Sequence, residues 1–216
     1  MNDGVGRVGK AALTIRLHRG DLPDLARYQG GAVAIDTETM GLHPHRDRLC
    51  VVQLSPGDGS ADVVQIAPGA SAAPNLSRLL GDQNLLKIFH FARFDLGVLS
   101  EAFGVMPSPV YCTKVASRLA RTFTDRHGLK DLCKELLGIE LSKQQQSSDW
   151  GAAELTQEQL NYAASDVLHL HALREKLDAM LRREGREGLA QACFEFLPIR
   201  AELDLAGWSD IDPFAH

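Results

Sequence analysis

The chain has 216 residues, of which 44% are hydrophobic, enough for one sizeable domain with a proper core but too few for a comfortable pair. Its formal net charge of −5 excludes the overall basic character typical of proteins that track long duplex DNA, so any nucleic-acid partner should be short or held locally with metal help. The four cysteines are far apart and form no Cys-x-x-Cys pair, which argues against a disulfide framework or a zinc site.

The N-terminal residues predict a protein outside the membrane. Residues 1–12 are rich in glycine and are typical of a flexible leader, without the apolar core of a signal peptide. No apolar run approaches the ~20 residues needed to cross a bilayer. We therefore expect a soluble, cytoplasmic protein with no membrane partner.

Residues 13–216 are expected to form a single domain that begins with strands and continues with helices. Apolar runs predict strands at 13–17, 31–37, 49–54, 62–66 and 85–89, the third and fourth joined as a hairpin through the turn sequence at 55–59. Helical spacing predicts helices at 74–80, 94–103, 113–119, 129–137, 158–181 and 188–205, the last interrupted at Pro198. This order favours an α/β or α+β architecture with a mixed sheet.

Two carboxylates end the second strand. Because side chains alternate along a strand, Asp36 and Glu38 share one face and Thr37 points away. Two carboxylates 4 Å apart repel by roughly 4 kcal/mol at an effective dielectric constant near 20, and no lysine or arginine lies within the strand. Mg²⁺ or Mn²⁺ would compensate, since these cations prefer hard oxygen ligands. The alternative is a strand end at which both acids reach water.

Three later residues extend this acidic pattern. Asp95 opens a helix just after the strand at 85–89, so it could join the first two acids, or it could simply be favoured there by the helix dipole. Tyr162 and Asp166 are four residues apart and face the same side of a helix. The tyrosine hydroxyl could orient a water while the carboxylate binds a cation; the alternative is a core tyrosine hydrogen-bonded to a surface acid.

These residues carry a resemblance to a known family. The patterns Asp36-x-Glu38, His90-x-x-x-x-Asp95 and Tyr162-x-x-x-Asp166 resemble, in order and spacing, the three motifs of the DEDDy class of 3′–5′ exonucleases. The segment 143–150 (KQQQSSDW) resembles the one at the same place in ribonuclease D. More narrowly, residues 13–216 resemble the nano-RNase C group of stand-alone, ribonuclease D-like enzymes that degrade very short RNAs.

The resemblance implies a ribonuclease H-like exonuclease fold, a mixed central sheet flanked by helices, and phosphodiester hydrolysis with two metal ions. Asp36, Glu38, Asp95 and Asp166 would hold two Mg²⁺ or Mn²⁺ ions. Tyr162 would orient the attacking water. The implied partner is short single-stranded RNA, dinucleotides above all.

Further residues are expected to contact substrate. Leu42 would press against the terminal bases, although ordinary loop packing is an equal alternative, and His90 would contact phosphate or support Asp95 from the core. The remaining candidates offer cations, amide and hydroxyl donors, or apolar and aromatic faces: Thr37, Met40, Gly41, Arg93, Phe94, Lys143, Gln146, Ser147, Ser148 and Trp150.

The resemblance also implies self-assembly into a homo-octameric ring, and the apolar C-terminal stretch could supply a contact or could dock on its own core. Two other functions remain open. One is a broader exonuclease acting on DNA or structured RNA ends. The other is a non-catalytic nucleic-acid-binding scaffold, which the intact set of four acids and the tyrosine argues against.

Overall fold

A computed structural model describes residues 14–69, 72–142, 144–145 and 147–215, so the expected leader at 1–12 lies outside the described residues. The strands form one mixed sheet in the order β1-β4-β3-β2-β5-β6. Their bounds are β1 Thr14–Arg19, β2 Ala32–Thr39, β3 Leu49–Ser55, β4 Ser60–Gln65, β5 Leu86–Phe89 and β6 Val110–Cys112.

The central hairpin agrees with the sequence. β3 pairs antiparallel with both β2 and β4. The outer pairings are parallel: β1 pairs with β4 at one side of the sheet, and at the other side β5 pairs with β2 and β6 with β5. Every residue of β3 is buried, which explains its nearly continuous apolar run. β6 departs from the sequence pattern, which beyond Pro109 indicates helix; three residues are too few to show a period of two.

The helices surround this sheet. Their bounds are α1 Pro74–Gly81, α2 Ala92–Phe103, α3 Thr113–Ala120, α4 Leu129–Leu132, α5 Gln157–Leu168, α6 Leu170–Arg183 and α7 Glu187–Leu203. Residues 133–137 continue α4 as a π-helical turn that stops at Gly138, and residues 204–208 continue α7 in the same way. The single helix expected over 158–181 is wrong in one respect: it breaks at His169 into α5 and α6.

The lengths of β2 and β5 create an opening at one edge of the sheet. Ala34 pairs with Ile88, and β5 ends one residue later, so Asp36 and Glu38 extend past the end of their neighbour. The chain then turns into α2 beside this overhang. On one face of the sheet, α5 packs over β2, β3 and β4; Ile35 points to the opposite face, into the larger core. Elements from both faces therefore meet at the end of β2.

Among the described residues, no helix combines the length and the apolar character that a membrane crossing requires.

Candidate active site

Three carboxylates converge where α5 crosses the end of β2. Asp36, Glu38 and Asp166 each contribute an oxygen, and these oxygens lie within 4.8 Å of one another. We call this set the acidic triad. The alternation of β2 places Asp36 and Glu38 on one face, as the sequence predicted, and α5 packs over that face. The start of α5 is set by a capping box in which Thr156 and Gln159 bond each other's backbone N–H, and this start fixes where Asp166 falls nearly three turns after the cap.

Asp95 joins this region from the other side of β2. It lies in the first turn of α2 and is buried, and its Oδ1 accepts a 2.6 Å hydrogen bond from the Thr37 hydroxyl. Burial, and then repulsion from Asp36, raises the pKa of Asp95, so the two carboxylates act on each other. The structure thus gathers three of the four predicted acids into one cluster and sets the fourth beside it.

Thr37 corrects an expectation. It was a candidate for contact with substrate, but its side chain is buried on the α2 side of the strand and its hydroxyl is committed to Asp95. Thr37 of β2 thereby positions Asp95, which lies on α2.

Burial raises the pKa values of the acidic triad, and repulsion between the carboxylates adds to the effect at Glu38 and Asp166. The pKa of Asp36 rises to about 7 through burial, opposed by the Thr37 backbone N–H. Burial, and then repulsion from the other acids, raises the pKa of Glu38 to about 10. Burial and repulsion from Asp36 raise the pKa of Asp166 to about 8, against a hydrogen bond from Tyr162. Concentrated negative charge of this kind is stabilised by a cation or by protons.

The donor set fits a hard divalent cation. All four side chains offer carboxylate oxygens, the ligands that Mg²⁺ and Mn²⁺ prefer. Within the described ranges, no lysine or arginine forms an ion pair with any of the four. The three clustered oxygens are already close enough to share one ion.

Tyr162 borders the triad, and its partner Trp150 corrects a second expectation. Burial, then repulsion from Asp166 and Glu38, raises the pKa of the tyrosine hydroxyl, which therefore keeps its proton at neutral pH. The Trp150 ring centroid lies 6.0 Å from that of Tyr162, but the indole is only 3% exposed and packs with Val51, Val63 and other apolar residues. Trp150 packs beside Tyr162 and offers no free face to a base.

The loop after β2 presents an exposed leucine on a constrained backbone. Leu42 is 79% exposed, and Met40 beside it is more than half exposed. The buried Asp47 carboxylate accepts from the His43 backbone N–H at 3.0 Å and from Arg46. A Cβ at Gly41 would overlap that carboxylate, so any larger residue there would force Asp47 to move.

Two other candidates have partners that change their expected role. His90 Nδ1 lies 2.9 Å from Thr113 Oγ1, which donates to the Phe89 carbonyl; the hydroxyl therefore accepts from the imidazole and leaves Nε2 as an acceptor. Burial and the charge of Lys114 lower the pKa of His90 to about 3, so it brings no positive charge to a phosphate. Of the two alternatives for His90, the structure favours the core histidine.

Arg93 is similarly engaged. Its guanidinium forms a two-pronged ion pair with Asp204 and also donates to the Ser209 carbonyl at 2.7 Å. Its charge is used to fasten the segment after α7 to the start of α2, rather than left free for a phosphate.

The polar segment before α5 is described only in part. Lys143 and Gln146 lie outside the described residues. Ser147 is exposed, and the Ser148 hydroxyl donates to the Gln145 side chain.

Sequence reasoning missed Phe91. This residue caps α2 with φ of 67°, the only non-glycine residue with positive φ in the described part of the chain, and its ring is 49% exposed. It lines a cavity of about 450 Å³ together with Leu42 and Phe94, and the Lys114 ammonium lies 4.1 Å from its ring centroid. Strained backbone clusters at functional sites, but a single phenylalanine gives no sequence signal of its conformation.

Comparison with known proteins identifies the family. A family model described as a 3′–5′ exonuclease matches residues 23–182. Ribonuclease D of Gluconacetobacter diazotrophicus is 40% identical over 154 residues, which cover 71% of this chain and 39% of that protein. The Granulibacter bethesdensis enzyme is 39% identical over a segment of the same length. The chain thus spans well under half the length of these curated relatives.

Solved structures give a fuller match. Brucella melitensis NrnC bound to pGG has a TM-score of 0.93 and 64% identity, covering 95% of this chain and 100% of that one. The same protein with bound Mg²⁺ has a TM-score of 0.91 at 64% identity, covering 94% and 99%. Escherichia coli RNase D, described as an exoribonuclease involved in structured RNA processing, has a TM-score of 0.74 at 26% identity, covering 86% and 50%.

These matches confirm the expected ribonuclease H-like exonuclease fold and the resemblance to stand-alone, ribonuclease D-like enzymes. The matched region contains all four acids and Tyr162. The chain belongs to the 3′–5′ exonuclease family.

Proposed function

We propose that this protein is a metal-dependent 3′–5′ exoribonuclease that hydrolyses very short oligoribonucleotides, dinucleotides above all, to mononucleotides. The observation that carries the proposal is the acidic triad with Asp95 beside it, in a chain that matches a dinucleotide-bound and an Mg²⁺-bound structure over nearly its whole length.

The catalytic roles follow from the site. Asp36, Glu38, Asp95 and Asp166 would hold two divalent cations, Mg²⁺ or Mn²⁺. Such cations lower the pKa of water and stabilise the charge that develops on the leaving oxygen. Tyr162 holds its proton, so its hydroxyl orients the attacking water and does not act as the base. The Thr37 hydroxyl would hold the Asp95 carboxylate in the orientation in which it binds a cation.

Substrate contacts belong to the same proposal. Leu42, exposed on its constrained loop, is suited to pack against a base, with Met40 and Gly41 shaping its approach. Phe91 and Phe94 line the cavity next to Leu42 and supply apolar faces for a second base. Lys143, Gln146, Ser147 and Ser148 are suited to the phosphate side, because a cation with amide and hydroxyl donors binds a phosphodiester well.

Assembly and location complete the proposal. We propose a single domain over residues 13–216 that functions in the cytoplasm as a homo-octameric ring. Self-association is supported by three exposed apolar side chains near the end of the described chain: Trp208, Ile211 and Phe214. Burying them in a subunit interface would remove apolar surface from water. Sedimentation of the purified protein tests the ring: a monomer at micromolar concentration would refute it.

The decisive assay is a time course on 5′-labelled RNAs of two to seven nucleotides with Mg²⁺ or Mn²⁺ and an EDTA control. Preferential loss of the dinucleotide, stopped by chelation, is the expected result. Asp36→Ala should lower turnover by about a thousandfold, since metal catalysis supplies several kcal/mol. Asp24→Ala is the matched control. Asp24 is exposed in a turn, where its carboxylate accepts from the Ala26 backbone N–H, and this variant should be as active as wild type.

Two other results would replace this proposal. Equal or faster digestion of a DNA dinucleotide, a long duplex or a structured RNA end would favour a broader exonuclease, the function that the similarity to ribonuclease D suggests. No cleavage of any substrate, with retained binding of RNA, would favour a non-catalytic scaffold.

A further inference from the structure

Gln53 carries a buried amide that has no hydrogen-bond partner within the described part of the chain. It lies in the middle of β3, opposite Asp36 of β2 on one side and Val63 of β4 on the other. Its exposure is 0%, and neither Nε2 nor Oε1 has a hydrogen-bond partner among the described residues. Buried amides are nearly always hydrogen-bonded, so this exception needs an explanation.

The register of the sheet directs Gln53 toward the active site. Residues opposite each other on antiparallel strands point to the same face, with Cβ atoms about 4.5–5.5 Å apart. Gln53 therefore shares the α5-facing side with Asp36. Its neighbours on that side, Val51 and Val63, pack against Ala163 of α5, one turn of helix before Asp166.

Asp36 could accept a further hydrogen bond, and an amide could donate it. The hydrogen bond that favours its ionised form comes from the Thr37 backbone N–H, and no side-chain donor to it is found in the described part of the chain. A lysine in place of Gln53 would cancel the negative charge that attracts a cation. A glutamine donates a hydrogen bond without adding charge.

We propose that Gln53 is a positioning residue for Asp36: when a divalent cation is bound, the Gln53 amide N–H donates to the Asp36 carboxylate and fixes which oxygen faces the ion. This inference rests on the proposed metal-dependent function, because it assigns Gln53 a task only in the metal-bound site.

The test compares metal affinity and stability in Gln53→Met, which keeps the length and unbranched shape of the side chain and removes the amide. Titration calorimetry with Mg²⁺ or Mn²⁺ alone should show a dissociation constant raised about 10–100-fold, the usual effect of losing a residue that orients a metal ligand. The metal-free variant should melt no lower than wild type, because no hydrogen bond has been removed.

Gln65→Met is the matched control. Gln65 lies on the same face of the sheet, opposite Val51, but its Nε2 already donates to the carbonyls of Ala152 and Ala153 at 2.9 and 3.3 Å. This variant should lose stability and keep the wild-type metal affinity.

The outcomes separate this inference from the proposed function. Failure of wild type to bind either metal would overturn both. Wild-type affinity in Gln53→Met, or an equal loss in Gln65→Met, would overturn only the role of Gln53. Should Gln53→Met not fold, side-chain amide resonances of Gln53 in the wild-type protein give the answer: they should shift downfield on addition of Mg²⁺, and resonances that stay in place would refute the hydrogen bond.

Discussion

Replacing Asp166 with asparagine should stabilise the metal-free protein while removing its response to metal. At an effective dielectric constant of 20, two carboxylates 4.8 Å apart repel by about 3.5 kcal/mol, and Asp166 takes part in two such pairs of the triad. Proton uptake relieves part of this repulsion. We expect a gain of about 2–4 kcal/mol in the free energy of unfolding at pH 8, or about 5–10 °C in the melting temperature.

The stability gained in Asp166→Asn is expected to depend on pH. The folded-state pKa of Asp166, about 8, lies above its unfolded value, so the stability linked to its proton is full below about pH 4 and is lost as the pH rises toward 8. The asparagine side chain of the Asp166→Asn variant takes up no proton and escapes that loss. The difference between the two proteins should therefore be small at pH 4.5 and largest at pH 8.

Thermal unfolding in EDTA at pH 4.5, 6 and 8 measures this difference. Asp178→Asn is the matched control, because Asp178 accepts a 2.8 Å hydrogen bond from Tyr111 and lies 3.5 Å from Arg174; its replacement should lower the melting temperature. A melting temperature of Asp166→Asn below wild type at pH 8, or a difference independent of pH, would refute the view that the triad is an uncompensated acidic cluster.

Three further predictions concern the same region. Thr37→Val removes the donor to Asp95 and should reduce turnover about 10–100-fold in a dinucleotide assay, with little effect on KM; unchanged turnover would show that Asp95 is held by other means. Gly41→Ala forces a Cβ into the Asp47 carboxylate and should destabilise the protein by about 1–3 kcal/mol in urea unfolding, and wild-type stability would show that the turn can relax. Mg²⁺ should raise the melting temperature more at pH 8 than at pH 5, since protons compete for the same oxygens; an equal rise at both would place the ion elsewhere.

Local patterns were enough to predict much of the site. Alternation along β2 correctly placed Asp36 and Glu38 on one face, and helical spacing placed Tyr162 next to Asp166. These relations depend on neighbours in the chain, so the sequence expresses them directly. No local periodicity predicts that α5 approaches β2. That expectation came from the order and spacing of the three motifs.

Long-range contacts account for what the sequence did not predict. The hydrogen bond from Thr37 to Asp95 joins residues 58 positions apart, and neither residue type predicts it. Trp150 stands in a polar segment that suggested exposure, yet it fills a gap beside Val51 and Val63. The left-handed backbone of Phe91 likewise results from the turn between β5 and α2, which no composition rule predicts for a phenylalanine.

The overhang of β2 past β5 also bears on when the acidic site forms during folding. The acids on β2, α2 and α5 come from segments far apart in the chain, and contacts of large sequence separation form late in folding because loop closure must precede them. During synthesis, β2 emerges well before α5. A nascent chain therefore lacks the complete set of acids until α5 docks, so the site forms only once the sheet and both of its faces are assembled.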